Sequence, residues 1–318
     1  MTFYPVIIPT LNRYTHLRRC VESLARNTHA SETELIIGLD YPPSEKYVEG
    51  YRQVKAYLPT ITGFKKVTIF ERKENWGAVK NYTDLINYVF NTYDAFIATE
   101  DDNEFSPCFL DYMNLMLQRY KDDHRISTVS AYLPKELANA TVHPTHNGDT
   151  LAKNGQSILF TYESNAWGFG TWRDRGTPEQ RLQNAHGVLQ SYKKSWKSFT
   201  TYPACFRMLI KMAAGRQEWA DVIRTQWNIV NGTFQIRPTQ SLARNWGNDG
   251  SGINCAVDES IAKQPISTEQ TFQPPTSWEP YYSDTVARAT FHMTWPKNPL
   301  LFAGKLVITT FLYLKYRW

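Results

Sequence analysis

A mainly parallel α/β sheet flanked by helices, Rossmann-like in its alternation, is predicted by three observations. Short β-branched runs alternate with helical patterns through the first 135 residues, two of the intervening segments each carry one apolar face, and the chain of 318 residues, 42% hydrophobic, is long enough to bury a core. The strand candidates are Tyr4 to Ile8, Leu35 to Leu39, Val67 to Phe70 and Ala95 to Thr99. Leu17, Cys20, Val21 and Leu24 follow the i, i+3, i+4, i+7 spacing of a helix face, and Tyr82, Ile86, Val89 and Phe90 make a second. A third helix is expected with Ser106 as N-cap and Pro107 in its first turn, followed by Phe109, Met113 and Leu117 at four-residue spacing.

From about Asn139 to Asn154 the composition turns to Thr, His, Asn, Gly and Pro without periodicity, which predicts a long surface connection. Beyond it come a strand from Ser157 to Tyr162, the aromatic segment "SNAWGFGTWRDRG", a helical stretch and "EWADVIRTQWNIVNGTFQIRP". Residues 264 to 284 have the Pro, Ser, Thr and Gln content of a loose connector. The final "NPLLFAGKLVITTFLYLKYRW" is the most apolar stretch, but Lys305 interrupts it and it is short for a span. It suits an interfacial helix with Lys305, Lys315 and Arg317 near lipid headgroups, or equally a core helix capping the domain. Three segments result: 1–138 for a nucleotide sugar, 139–263 for an acceptor and a catalytic base within the same domain, and 264–318 as connector and apolar basic helix.

The balance of 35 basic and 30 acidic residues is spread along the chain with no dense basic block, so no nucleic-acid partner is expected. Cys20, Cys108, Cys205 and Cys255 are far apart and form no CxxC pair, which argues against a zinc knuckle or a disulfide framework and for reduced thiols. The N-terminus lacks the pattern of a cleavable signal. A cytoplasmic protein is expected, peripheral on the inner face of the membrane if 298–318 binds lipid.

"ATEDDNEFSP" concentrates Glu100, Asp101 and Asp102 at the end of the strand that begins near Ala95. In open α/β sheets ligands bind beyond the carboxyl ends of the strands. Adjacent carboxylates there repel unless a cation neutralises them, and hard oxygen ligands select Mg²⁺ or Mn²⁺, usually shared with substrate phosphates. Taken alone, "EDDNE" fits equally a solvated loop in which Asp102 or Ser106 caps the next helix.

Five segments in order alter that balance. "VIIPTLNRYTHLRRCVESL" resembles the opening of the family 2 glycosyltransferases of the GT-A fold, and "IIGLD", "ENWGAVKNY" and "FIATEDDNEFSPCFLDYM" follow at the spacing expected of them. The last is also similar to the metal-binding segment of the N-acetylglucosaminyltransferase I type, and "RNWGNDGSGINC" resembles a loop of bacterial sugar transferases. The resemblance covers roughly residues 3 to 256. It implies that Pro9, Thr10, Asn12 and Arg13 form the first nucleotide loop, that Asp40 accepts hydrogen bonds from uracil or ribose, and that Asn75, Gly77, Lys80 and Asn81 lie near the donor. It implies Asp102 as the direct metal ligand, Asp101 on ribose or a water-bridged contact, and Glu100 in support. Plain chemistry agrees in part, since an Arg in a loop feeding a helix suits a phosphate and Gly77 permits close backbone approach.

Sugar transfer also needs a base for the acceptor hydroxyl. The resemblance places it in a Trp-Asp-Asp motif that Trp219, Ala220 and Asp221 match with the middle Asp lost, so Asp221 is the expected base and Glu218 an acceptor contact. Asp221 could instead pair with Arg224 or Arg216, and Asp174 is a weaker candidate between two arginines. Trp167, Gly168, Phe169 and Trp172 are expected to line the acceptor side, since sugar faces stack on aromatic rings. Asn245 to Gly252 has the glycines of a lid, and Asn254 stands where many relatives carry His. The expected function is metal-dependent, inverting transfer of a hexose or N-acetylhexosamine from a nucleotide diphosphate, with UDP the expected nucleotide. The expected acceptor is a saccharide or lipid-linked saccharide in bacterial-type surface polysaccharide assembly. The alternatives are a sugar nucleotidyltransferase, against which "PTLNR" lacks a Gly-rich loop, and a non-catalytic carbohydrate-binding relative.

Overall fold

The computed structural model describes residues 2–135, 137, 158–215, 219–251, 257–268, 272 and 298–316. The expected surface connection at 139–154, Glu218, Asn254, Cys255 and most of the 264–284 connector lie outside the described residues. Strand β1 (Val6–Thr10) pairs in parallel with β2 (Glu34–Leu39) and with β4 (Ala95–Ala98), and β2 pairs in parallel with β3 (Lys66–Glu71). These are the four N-terminal strands expected from the β-branched runs. Their near-continuous burial in β1, β2 and β4 is what a sheet covered on both faces requires.

Beyond β4 the sheet continues through β8 (Phe169–Trp172), which is antiparallel to both β4 and β6 (Ile126–Ser130). It ends with β9 (Phe234–Pro238), parallel to β6, and β7 (Ile158–Thr161), antiparallel at the edge. The order is β3-β2-β1-β4-β8-β6-β9-β7, so segments from both halves of the sequence share one sheet of eight strands. This is the Rossmann-like, mainly parallel arrangement of the GT-A fold.

Helix α1 (Tyr14–Ala25) buries Leu17, Cys20, Val21 and Leu24, the residues of its predicted face, each of the leucines contributing about 1.5–3 kcal/mol. Helix α2 (Val48–Tyr57) covers the same side of the sheet, and α3 (Gly77–Phe90) covers the other with Leu85, Ile86 and Val89. Helix α4 (Phe109–Arg119) starts two residues later than the Ser106–Pro107 signature indicates. The Ser106 hydroxyl is diverted to the carbonyl of Ser267, 2.5 Å away, so 106–108 form a turn ahead of the helix and Cys108 takes the cap position.

Helices α5 (Pro178–Leu189), α6 (Tyr192–Thr201), α7 (Pro203–Ala213) and α8 (Ala220–Asn231) build a separate apolar cluster around Val188, Phe206, Leu209 and Ile210. A short two-stranded ribbon pairs β5 (Asn103–Phe105) with β10 (Ala243–Asn245). Helix α9 (Glu259–Ala262) is short, and α10 (Pro299–Tyr316) rests on the α5–α8 cluster through Leu312, Tyr313 and Tyr316.

The far half of the sheet is tied by Arg237, the largest fully buried side chain. Its guanidinium donates to Thr161 Oγ1 at 3.0 Å, the Tyr132 carbonyl at 2.7 Å and the Glu163 carbonyl at 3.0 Å. Replacing Arg237 with Leu strands these acceptors and the neighbouring Glu163 carboxylate, so a loss of about 3–5 kcal/mol is expected in equilibrium chemical denaturation.

Candidate active site

The carboxyl ends of β1, β2 and β4 bring three of the predicted segments to one edge of the sheet. Thr10 closes β1, Asp40 follows β2, and Glu100, Asp101 and Asp102 follow β4. Arg13 spans two of the acids: one guanidinium nitrogen pairs with Asp101 and the other with Asp102 Oδ2 at 2.8 Å. Thr10 Oγ1 adds a hydrogen bond of 2.7 Å to the second oxygen of Asp101. Burial pushes the Arg13 guanidinium down, but Asp101 and Asp102 outweigh it and hold the group above its ordinary value. Burial pushes Asp101 up, against the opposing pull of Arg13.

Glu100 is the exception. Its carboxyl opens to the crevice and has no hydrogen bond or ion pair among the described residues. Partial desolvation of the carboxyl, followed by the charges of Asp102, Asp221 and Asp101, pushes its pKa up, although the residue as a whole remains exposed. Glu100 and Asp102 carry the hard carboxylate oxygens that Mg²⁺ or Mn²⁺ takes as ligands, Asp102 being already paired with Arg13 and Glu100 not. Among the described residues no three acidic, His or Cys side chains form a ligand set for a metal ion.

At the end of β2 Asp40 is a structural hub. Its two oxygens accept from the backbone N–H groups of Tyr41, Trp76 and Gly77 at 2.8–2.9 Å, and from Asn75 Nδ2 at 3.2 Å. The expected acceptor of uracil or ribose hydrogen bonds is thus already spent on the turn that starts α3, a good use of a carboxylate at a helix N-terminus. Gly77 has a positive φ of 73°, which lets that turn form. Lys80 and Arg72 lie on Trp76, 4.3 Å and 4.1 Å from its ring centroid, so Lys80 is turned to the indole and away from the acids. Asn81 is buried, donating to the Gly38 carbonyl and accepting from Arg72. Pro9 and Asn12 flank the first loop, half-buried, and α2 approaches closely enough that a Cβ on Gly50 would stand 2.2 Å from the Asn12 carbonyl.

On the opposite side the antiparallel register of β8 sorts the aromatic segment. Phe169 lies opposite Ala98 at the crevice end, whereas Trp172 lies opposite Ala95 at the far end, buried, with its indole N–H on the Leu117 carbonyl. Trp172 therefore cannot line the cleft, and Asp174, beyond it and paired with Arg175, is removed from the crevice by the same register. Phe169 is also buried and offers no ring face to a sugar. Its ring carries the guanidinium of Arg224 at 4.3 Å, and Arg224 holds Asp221 Oδ1 at 2.7 Å. Asp221 keeps 42% of its side chain exposed, and its charge acts on Glu100 across the crevice. Gly168, at φ 73°, lets the chain pass Phe105, which a Cβ would meet at 2.6 Å, and Trp167 packs edge-on against Tyr132.

The 245–251 segment, expected as a lid, is packed onto the acids by the β5–β10 ribbon. Asn245 Nδ2 donates to Asp102 Oδ1 at 2.6 Å, and the Trp246 N–H donates to the Asp102 carbonyl at 2.8 Å. Trp246 lies between Arg19 and Arg244, with its indole N–H on Glu104. A Cβ on Gly247 would stand 2.1 Å from Asp102 Oδ2, so only glycine permits this approach.

Residues 6–177, which include the strand-end acids and the turn held by Asp40, match the family described as Glycosyl transferase family 2. The chain belongs to that family. No curated protein sequence matches it. Among solved structures it is similar to S. aureus TarS, with 15% identity, a TM-score of 0.30, and coverage of 41% of this chain and 21% of TarS. It is also similar to the mannosyltransferase PcManGT of Pyrobaculum calidifontis, solved with GDP-Man and Mn²⁺, with 10% identity, a TM-score of 0.40, and coverage of 71% and 69%. This chain thus spans about a fifth of the length of TarS.

In this family 2 chain the structure ties Thr10, Arg13, Asp101 and Asp102 together beside Glu100, joins Asp40 to Asn75, Trp76 and Gly77, and pairs Asp221 with Arg224. Sequence reasoning missed the parts of Asn245 and Phe169 in holding Asp102 and Arg224, and Arg181, which is buried near Arg224. Arg181 is pushed down to about 10 by burial and then by the Arg224 charge. The run "EDDNEF" against "LARNW" could have suggested a ribbon, but strands of three residues leave little periodicity to detect. Replacing Gly247 with Ala is expected to force the 245–248 loop off Asp102 and to lower stability by about 1–3 kcal/mol in thermal and chemical denaturation, whereas Gly187→Ala, which meets open space inside α5, should instead stabilise by about 0.5–1 kcal/mol.

Proposed function

We propose that this family 2 protein transfers a hexose or N-acetylhexosamine from a nucleotide diphosphate, UDP being the expected nucleotide, to a hydroxyl of a saccharide or lipid-linked saccharide. Transfer inverts the anomeric centre by single displacement, and surface polysaccharide assembly at the cytoplasmic face is the setting that fits. The observation that carries this reading is the opposition of two kinds of carboxylate: Glu100 with Asp102 on one wall, and Asp221 held by Arg224 on the other. The likeness of the acidic segment to the N-acetylglucosaminyltransferase I type supports the same assignment.

Asp102, with Glu100, would hold Mn²⁺ or Mg²⁺, whose chemistry when bound is to neutralise the departing diphosphate. Arg13 lies against both aspartates and is positioned to turn one guanidinium edge to a phosphate oxygen when a cation takes over their charge. Asp101 is kept by Thr10 in an orientation suited to a ribose hydroxyl. Asp221 accepts the proton of the acceptor hydroxyl; its link to Arg224 orients one oxygen and leaves the other open. Trp167, with the tight turn at Gly168, borders the acceptor side.

Titration calorimetry of UDP and GDP with and without Mn²⁺ tests the donor site. Binding of UDP that needs Mn²⁺ and is abolished in Asp102→Ala is expected; failure of both nucleotides under every condition would sink the reading. Asp221→Asn should leave UDP affinity within about twofold and lower kcat by roughly 10²–10⁴ in a radiolabelled sugar-transfer assay.

A further inference from the structure

The apolar surface that the folded chain leaves uncovered is concentrated in one place. Of the thirteen large apolar side chains that stand exposed among the described residues, eight lie on helices α6 and α10. Helix α10 is more apolar outside than inside. Its inward side carries Thr309, buried and donating to the Lys305 carbonyl, beside Leu312, Tyr313 and Tyr316. Its outward side repeats Leu300, Val307, Phe311 and Leu314, which are 54–83% exposed. A surface helix in water normally shows the reverse pattern.

Helix α6 lies beside it. The Tyr192 ring is 6.3 Å from Tyr313, and Tyr192, Trp196 and Phe199 line one wall of a cavity of about 330 Å³ whose other wall is Leu306, Thr310 and Tyr313. Trp196 is 68% exposed, and Lys193 and Lys197, one helical turn apart and exposed, flank it. Lys315 is exposed on the outward side of α10. No acidic residue lies within either helix.

We propose that α6 and α10 together form a docking face for an anionic lipid surface, with Trp196 and the outward residues of α10 entering the acyl boundary and the lysines meeting headgroup phosphates. Tryptophan and lysine beside an apolar helix face are the side chains that interfacial binding uses. Among the described residues no helix is long and apolar enough to cross a membrane, so the face lies along the bilayer. The inference deepens the proposed function, since α6 packs against α8, the helix that carries Asp221, in the same apolar cluster. A lipid surface bound there holds the acceptor wall of the crevice close to a lipid-borne acceptor.

The test is co-sedimentation of the full chain with vesicles of phosphatidylcholine alone or with phosphatidylglycerol, alongside sedimentation velocity without lipid. Binding to the anionic vesicles is expected, falling at least about tenfold in Phe311→Glu and in Trp196→Ser, and roughly fivefold for each of Lys193→Glu and Lys197→Glu. The proposal is overturned if the wild type binds neither vesicle, if the α6 substitutions leave binding unchanged, or if the apolar face instead closes a lipid-free dimer that Phe311→Glu separates. All four positions are exposed, and UDP calorimetry on each variant checks that the fold is intact. Vesicle binding without any UDP binding would leave the docking face standing and remove the transferase reading alone.

Discussion

The Arg13 guanidinium, set across Asp101 and Asp102, is the interaction on which the crevice depends. Two buried carboxylates side by side repel, and each costs several kcal/mol to withdraw from water unless paired and hydrogen-bonded. Arg13, Thr10 and Asn245 supply those partners from three separate parts of the chain, so the loop after β1 and the 245–251 segment are both drawn to the end of β4. Glu100 remains outside this compensation. Its carboxyl has no hydrogen bond or ion pair among the described residues.

The facing wall uses a different device. Asp221 is presented by a relay in which the buried ring of Phe169 supports Arg224 and Arg224 orients the carboxylate. A guanidinium on a ring face is kept planar and directional, while Arg181 nearby makes the same region rich in positive charge. An acidic floor and a basic wall thus meet at one crevice. The helices packed behind Asp221 belong to the same apolar cluster as the helices that carry the exposed apolar face.

Much of the architecture is legible in the residues. The apolar spacing of Leu17, Cys20, Val21 and Leu24 predicts α1 because one stripe of a helix must face the sheet, and those four side chains are buried. The β-branched runs predict β1 to β4 because strands covered on both faces read as continuous apolar runs and branched side chains suit a pleated sheet. The aromatic segment was legible only as apolar: whether Trp172 faced a cleft or the core depended on the register of β8, and its pairing with Ala95 carried it to the far end of the sheet. Asp40 shows a similar limit, because a carboxylate at a strand end reads the same whether it waits for a ligand or closes the turn before α3.

By itself the sequence determined the α/β alternation, the clustering of Glu100, Asp101 and Asp102 at a strand end, and the apolar character of the C-terminal stretch, since each depends on neighbours within a few residues. Tertiary structure alone decided which acids are compensated, that Gly247 and Asn245 lie on Asp102, that Asp221 is held by Arg224, and that the apolar side of α10 points outward beside Trp196. Most of those outcomes are pairings between segments far apart in the chain, 88 residues for Arg13 with Asp101 and 143 for Asn245 with Asp102, and only the closure of the chain into one sheet sets which segments meet.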